Sequence, residues 1–85
     1  METFQYTITD EVGLHARPAG LLVKQAKQMG SAITLQAKGK SADAKKIIAV
    51  MALGVKRGET VTVSLEGPQE QEEKEKLSRF FAENL

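Results

Sequence analysis

Phe4, Tyr6 and Ile8 alternate with Gln5, Thr7 and Thr9, the period-two pattern of a strand with one buried face. Asp10 to Leu14 then forms a turn, with Gly13 supplying backbone freedom. From Ala16 to about Met29 the period changes. Ala19, Leu22, Val23, Ala26 and Met29 recur at three- and four-residue spacing, which predicts an amphipathic helix, and Gly30 suits its C-terminal stop. Ile33, Leu35 and Ala37 alternate as a second strand, and Lys38-Gly39 turns the chain into a short third strand around Lys40 to Ala42. The stretch Ala44 to Leu53 contains IIAVMAL, too continuous for a half-exposed element, and predicts a brief, mostly apolar helix. After a turn at Lys56-Arg57-Gly58, Val61, Val63 and Leu65 alternate as a fourth strand. Gly67-Pro68 breaks the chain before a final helix carrying Leu77, Phe80, Phe81 and Leu85.

That helix begins with Glu70, Glu72 and Glu73, which suit the positive end of its dipole. Glu70–Lys74, Glu72–Lys76 and Glu75–Arg79 are spaced as i,i+4 pairs, each worth a few tenths of a kcal/mol. Glu73 and Lys74 stand where apolar contacts are expected, so its first half is expected to pack loosely. The order is β-α-β-β-α-β-α. Strands with one apolar face and helices with one matching stripe combine most economically as an α+β domain, a single antiparallel sheet with helices on one side.

Composition narrows the function. The 85 residues suit one domain spanning 1–85, and the hydrophobic content of 41% and charged content of 27% are ordinary for a globular chain. A formal net charge of +1 gives no basic excess for binding nucleic acid through bulk charge. There is no cysteine, which removes disulfides, thiolate metal sites and cysteine nucleophiles. The segment METFQYTIT has the features of no signal peptide, and no apolar run approaches the ~20 residues that span a bilayer. A cytoplasmic protein without direct membrane insertion is the expectation.

The single histidine lies in GLHARPAG, residues 13–20. His15 falls at or beside the N-cap of the first helix, where Ser, Thr, Asp or Asn would serve the fold better. Pro18 sits in the first turn, where its missing N–H does no harm. The free amides of Ala16 and Arg17 offer a place for an anion, and the Arg17 guanidinium adds a planar fork suited to phosphate oxygens. A ring nitrogen lone pair set beside these groups is placed to attack phosphorus. Two readings stand on these residues alone: a phosphate-handling histidine, and a histidine that is merely exposed. A metal site lacks a second histidine or a cysteine to complete a ligand set.

GLHARPAGLLVKQAK and KGKSADAKKIIAVMALGVKRGETV, together with the element order, resemble the HPr family. These are the histidine-containing phosphocarriers of the bacterial phosphoenolpyruvate-dependent sugar phosphotransferase system. The likeness runs over essentially the whole chain. It implies an open-faced β-sandwich of four antiparallel strands with three helices on one face. It implies a carrier without a cofactor, and not a stand-alone enzyme, that accepts a phosphoryl group from phosphorylated enzyme I on Nδ1 of His15. The group then passes to the A domains of enzymes II, with Arg17 as the active-site arginine. A regulatory binding module on the same scaffold is the competing reading, but such a module would need no nucleophile at His15. The expected working form is a monomer.

The resemblance also implies that the second helix forms the partner patch beside the histidine. Ile47, Ile48, Val50, Met51 and Leu53 cannot all point inward from so short an element, which favours Ile47, Ile48 and Met51 for that patch. Met51 adds adaptability. Leu21 lies off the apolar stripe of the first helix. Lys24 and Lys27, Lys45 and Lys46, then Lys56 and Arg57 frame the surface. Lys45 and Lys46 precede a helix, where cations are mildly unfavourable, which suggests steering of acidic partners as their purpose. Two positions depart from the family pattern. Lys46 stands where many relatives have a regulatory serine, and Gly20 replaces the more usual small side chain at a cost of about 1 kcal/mol in helix propensity.

Overall fold

A computed structural model describes residues 1–85. Its elements are β1 (Glu2–Thr7), α1 (Ala16–Lys27), β2 (Ala32–Ala37), β3 (Lys40–Asp43), α2 (Ile47–Ala52), β4 (Thr60–Glu66) and α3 (Glu70–Asn84). The four strands form one sheet in the order β1-β4-β2-β3, every pair antiparallel. Register explains the two faces. Phe4 lies opposite Val63, Val63 opposite Leu35, and Leu35 opposite Ala42, so one apolar row crosses the whole sheet. The next row, Gln5, Thr62, Gln36 and Ser41, is polar and lies on the open face. A period of two sends successive side chains to opposite faces, so the strand pattern alone creates this division.

The helices cover the apolar face. Ala19, Leu22, Val23, Ala26 and Met29 are all buried, as their spacing predicts. From α3, Leu77 and Phe81 enter the same core. Phe4 and Tyr6 each meet the Phe81 ring edge-on, with centroids 5.5 Å apart. Such edge contacts add to simple area burial by about 0.5–1.5 kcal/mol.

The predicted order holds, with two helix boundaries shortened. The first helix ends at Lys27, and Gln28 and Met29 continue as a turn through amide bonds to Gln25 and Ala26. The second starts only at Ile47. Asp43 holds the chain in a turn before it, accepting the Lys45 amide on Oδ1 at 2.9 Å and the Lys46 amide on its carbonyl at 3.0 Å.

The first half of α3 corrects an expectation: it is anchored, not loose. Glu73 is buried, and its carboxylate accepts the Gly30 amide at 2.8 Å, the Ser31 amide at 3.0 Å and the Ser31 hydroxyl. Burial alone would raise the Glu73 carboxyl. The Ser31 hydroxyl and the two amides, with the Lys45 charge beyond them, outweigh it and hold the group below the ordinary carboxylate range. Gly67 belongs to the same contact, because a Cβ there would lie 2.9 Å from the Ser31 Cα. Lys74 leaves its expected i,i+4 partner and pairs with Glu2 at the sheet edge, 3.3 Å away. The three i,i+4 pairs expected along α3 do not form ion pairs; tertiary partners take Lys74 and Glu70 instead. No helix is long and apolar enough to cross a membrane.

Candidate functional site

The segment joining β1 to α1 is built to hold one residue outward. Asp10 accepts the Val12 amide on Oδ1 at 2.8 Å and the Gly13 amide on its carbonyl at 3.1 Å. Gly13 then adopts φ +76°, and a Cβ at this position would lie 2.4 Å from the Val55 carbonyl oxygen. No other residue type fits there without displacement. Leu14 buries its side chain and donates its amide to the Val55 carbonyl at 2.9 Å. The His15 turn is therefore fastened to a distant segment, Gly54 to Lys56, and does not hang free.

His15 itself is exposed. It occupies the N-cap of α1 in extended conformation, φ −143° and ψ 158°, and its side chain makes no capping bond. The ring is thus not spent on closing the helix, and the amides of the first turn have no side-chain acceptor. Ala16, the first helical residue, has φ +49°. A left-handed backbone costs a residue with a Cβ roughly 1–2 kcal/mol, and strain of this kind persists where surrounding structure enforces it. Here Pro18 and Ala19, both buried, fix the helix on one side, and Leu14 fixes the turn on the other. Arg17 is exposed and makes no ion pair, so its guanidinium is available at the helix start.

A cleft of about 170 Å³ adjoins the histidine, lined by Val12, Leu14, His15, Gly54, Val55 and Lys56. Arg17 does not border it. The larger hollows lie elsewhere, on the polar sheet face and near the start of α3. Lys56 shares the His15 cleft because tertiary contacts, the Leu14–Val55 bond among them, bring the two segments together. Glu59 holds this segment in shape. It accepts the Lys56 amide at 2.6 Å and pairs with the Lys38 ammonium at 3.1 Å, and Lys38 also donates to the Gly54 carbonyl. The Lys56 amide, followed by the Lys38 ammonium, keeps the Glu59 carboxyl below its ordinary value.

The second helix, α2, packs against α1 and leaves apolar side chains in the open. Ile48 is 73% exposed, Leu21 41% and Ile47 36%, whereas Met51 is half-buried and Val50 and Leu53 are inside. Lys24 and Lys27 are exposed in the last turn of α1, where they also suit its dipole. Lys46 is exposed. Lys45 corrects the reasoning offered for it: it is half-buried, and its ammonium donates to the Met29 carbonyl at 3.0 Å. Its presence before α2 has a cause within the fold.

A family model described as "PTS HPr component phosphorylation site" matches residues 2–83. The chain is 48% identical over 73 residues to the phosphocarrier protein HPr of Vibrio cholerae serotype O1, covering 86% of each. Among solved structures it is similar to HPr-C-His from Thermoanaerobacter tengcongensis, with a TM-score of 0.93, 36% identity, and coverage of 99% of this chain and 94% of that one. It is also similar to Crh of Bacillus subtilis, described as a domain-swapped dimer, at a TM-score of 0.76 and 36% identity over 100% and 98% of the two chains. An open antiparallel sheet backed by three helices, matched by that family model over residues 2–83, places the chain among the histidine-containing phosphocarriers. The chain belongs to the HPr family, the phosphocarriers of the phosphotransferase system.

Proposed function

We propose that the chain accepts a phosphoryl group from phosphorylated enzyme I on Nδ1 of His15 and passes it to the A domains of sugar-specific enzymes II. The observation that carries this reading is the exposed His15 ring at the α1 N-cap, free of any capping bond. In the loading transfer a lone pair on the His15 ring nitrogen forms the new bond to phosphorus, and in the onward transfer a lone pair on the acceptor forms it. The bond from phosphorus to the donor breaks, and its electron pair returns to the donor. The protein's contribution is position and charge, since the transferring group in a loose transition state needs little else. The Arg17 guanidinium and the amides of Ala16 and Arg17, with Pro18 starting the helix, hold the phosphoryl oxygens. An exposed site with one arginine binds the group loosely enough to release it.

Partners dock on the surface formed by Leu21, Ile47, Ile48 and Met51, with the exposed Lys24, Lys27 and Lys46 steering acidic faces toward it. The working form in this reading is a monomer. Incubation with phosphoenolpyruvate and enzyme I should add one acid-labile phosphoryl group, detected by mass, and none in His15→Ala. Label in the His15→Ala chain would refute the site. Arg17→Ala should fold normally and transfer slowly, and an unchanged rate would remove Arg17 from the mechanism.

A further inference from the structure

The charges around the His15 cleft are unevenly committed. On the turn before the histidine, the Asp10 carboxylate takes the Val12 amide, and Glu11 faces Arg57 at 3.9 Å. On the segment after α2, Glu59 takes the Lys56 amide and the Lys38 ammonium. Arg17 belongs to the first turn of α1 and does not line the cleft. Lys56 is the cation left over. It lines the same cleft as His15, it is exposed, and its ammonium joins no ion pair. The backbone beneath it is fixed, since its amide is bonded to Glu59 and its Cα would lie 2.9 Å from a Cβ on Gly13. The rest of the cleft wall is largely apolar, formed by Val12, Leu14 and Val55. A charge beside a low-dielectric wall acts more strongly on its neighbours than one surrounded by water.

We propose that Lys56 is a second cation, besides Arg17, for the phosphoryl group on His15. Its ammonium holds negative charge that appears only when the ring is phosphorylated, so it stabilises the loaded carrier relative to the empty one. This inference rests on His15 being the phosphoryl acceptor.

Its consequence is an altered equilibrium, and that separates it from a docking role. Enzyme I catalyses transfer in both directions, so a side chain that only helps it dock changes the rate and leaves the position of equilibrium untouched. The native chain, Lys56→Met and Lys56→Arg are each brought to equilibrium with phosphoenolpyruvate, pyruvate and enzyme I at low salt, and the phosphorylated fraction is read by mass. Lys56→Met should lower the equilibrium constant for loading about threefold, as expected for one partly screened charge several ångströms away. Lys56→Arg should restore it. High salt should shrink the difference. The phosphorus NMR signal of the phosphohistidine should shift in Lys56→Met and return in Lys56→Arg.

Equal equilibrium constants in the native and Lys56→Met chains would overturn the proposal, even if their rates differ. A loss in Lys56→Met that Lys56→Arg leaves unrepaired would also overturn it, by making the effect one of shape and not charge. Failure of the native chain to load at all would refute the underlying reading of His15, and the native sample reveals that separately. Matching thermal midpoints establish that the variants are folded.

Discussion

Gly13 carries the closest constraint in the molecule. With φ +76° and the Val55 carbonyl 2.4 Å from where a Cβ would stand, Gly13→Ala must move either the histidine turn or the segment after α2. A left-handed alanine costs about 1–2 kcal/mol before any clash is counted. A midpoint lowered by at least ~5 °C in thermal melts should follow. A midpoint unchanged from the native chain would mean that this contact is not maintained in solution. Glu73 offers a test through pH. Because hydrogen bonds hold its folded carboxyl below the ordinary range, its stabilisation is fully present above the unfolded value of about 4.3. It is lost as pH falls through the lower folded value. Glu73→Gln replaces one accepting oxygen with a donor facing Gly30 or Ser31. Its melting midpoint should lie below the native one at neutral pH, and the gap should narrow toward pH ~3. A gap independent of pH would assign the loss to packing alone.

At the scale of elements, α1 contains a residue that weakens it without a visible structural return. Nothing lies within 4 Å of where a Cβ on Gly20 would stand. Gly20→Ala should stabilise the chain by about 1 kcal/mol, read by denaturant titration. If transfer slows at the same time, the missing methyl serves a partner's approach; if not, the position is free. Strands and α1 were legible in the sequence because their apolar periods face a single core. The start of α2 was not, since Asp43 sets it through a side-chain turn that competes with the helix. The packing of α3 was misjudged because Glu73 looks like a solvated residue until Ser31 and Gly30 are brought beside it by the fold. The same holds for the candidate site. The GLHARPAG motif marks His15 and Arg17, whereas Lys56 reaches the His15 cleft only through the fold.

Over the whole molecule the net charge is +1, so the proposed steering of acidic partners rests on how the lysines are placed and not on bulk charge. Lys24, Lys27 and Lys46 are exposed near the apolar residues of α1 and α2. Raising salt from ~0.05 to ~0.5 M should slow phosphoryl transfer from enzyme I about tenfold, mostly through association. Lys24→Glu with Lys27→Glu should flatten that dependence, and an unaltered slope would place the docking face elsewhere. The bond from the Leu14 amide to the Val55 carbonyl has a last consequence. It joins the turn that opens α1 to a strand-side segment far along the chain, so the site cannot fray by itself as an ordinary exposed loop does. Amide exchange at Leu14 should therefore proceed only as fast as global unfolding allows. On the proposed role of His15, a turn held this way is assembled before either partner arrives, and neither encounter has to supply its ordering entropy.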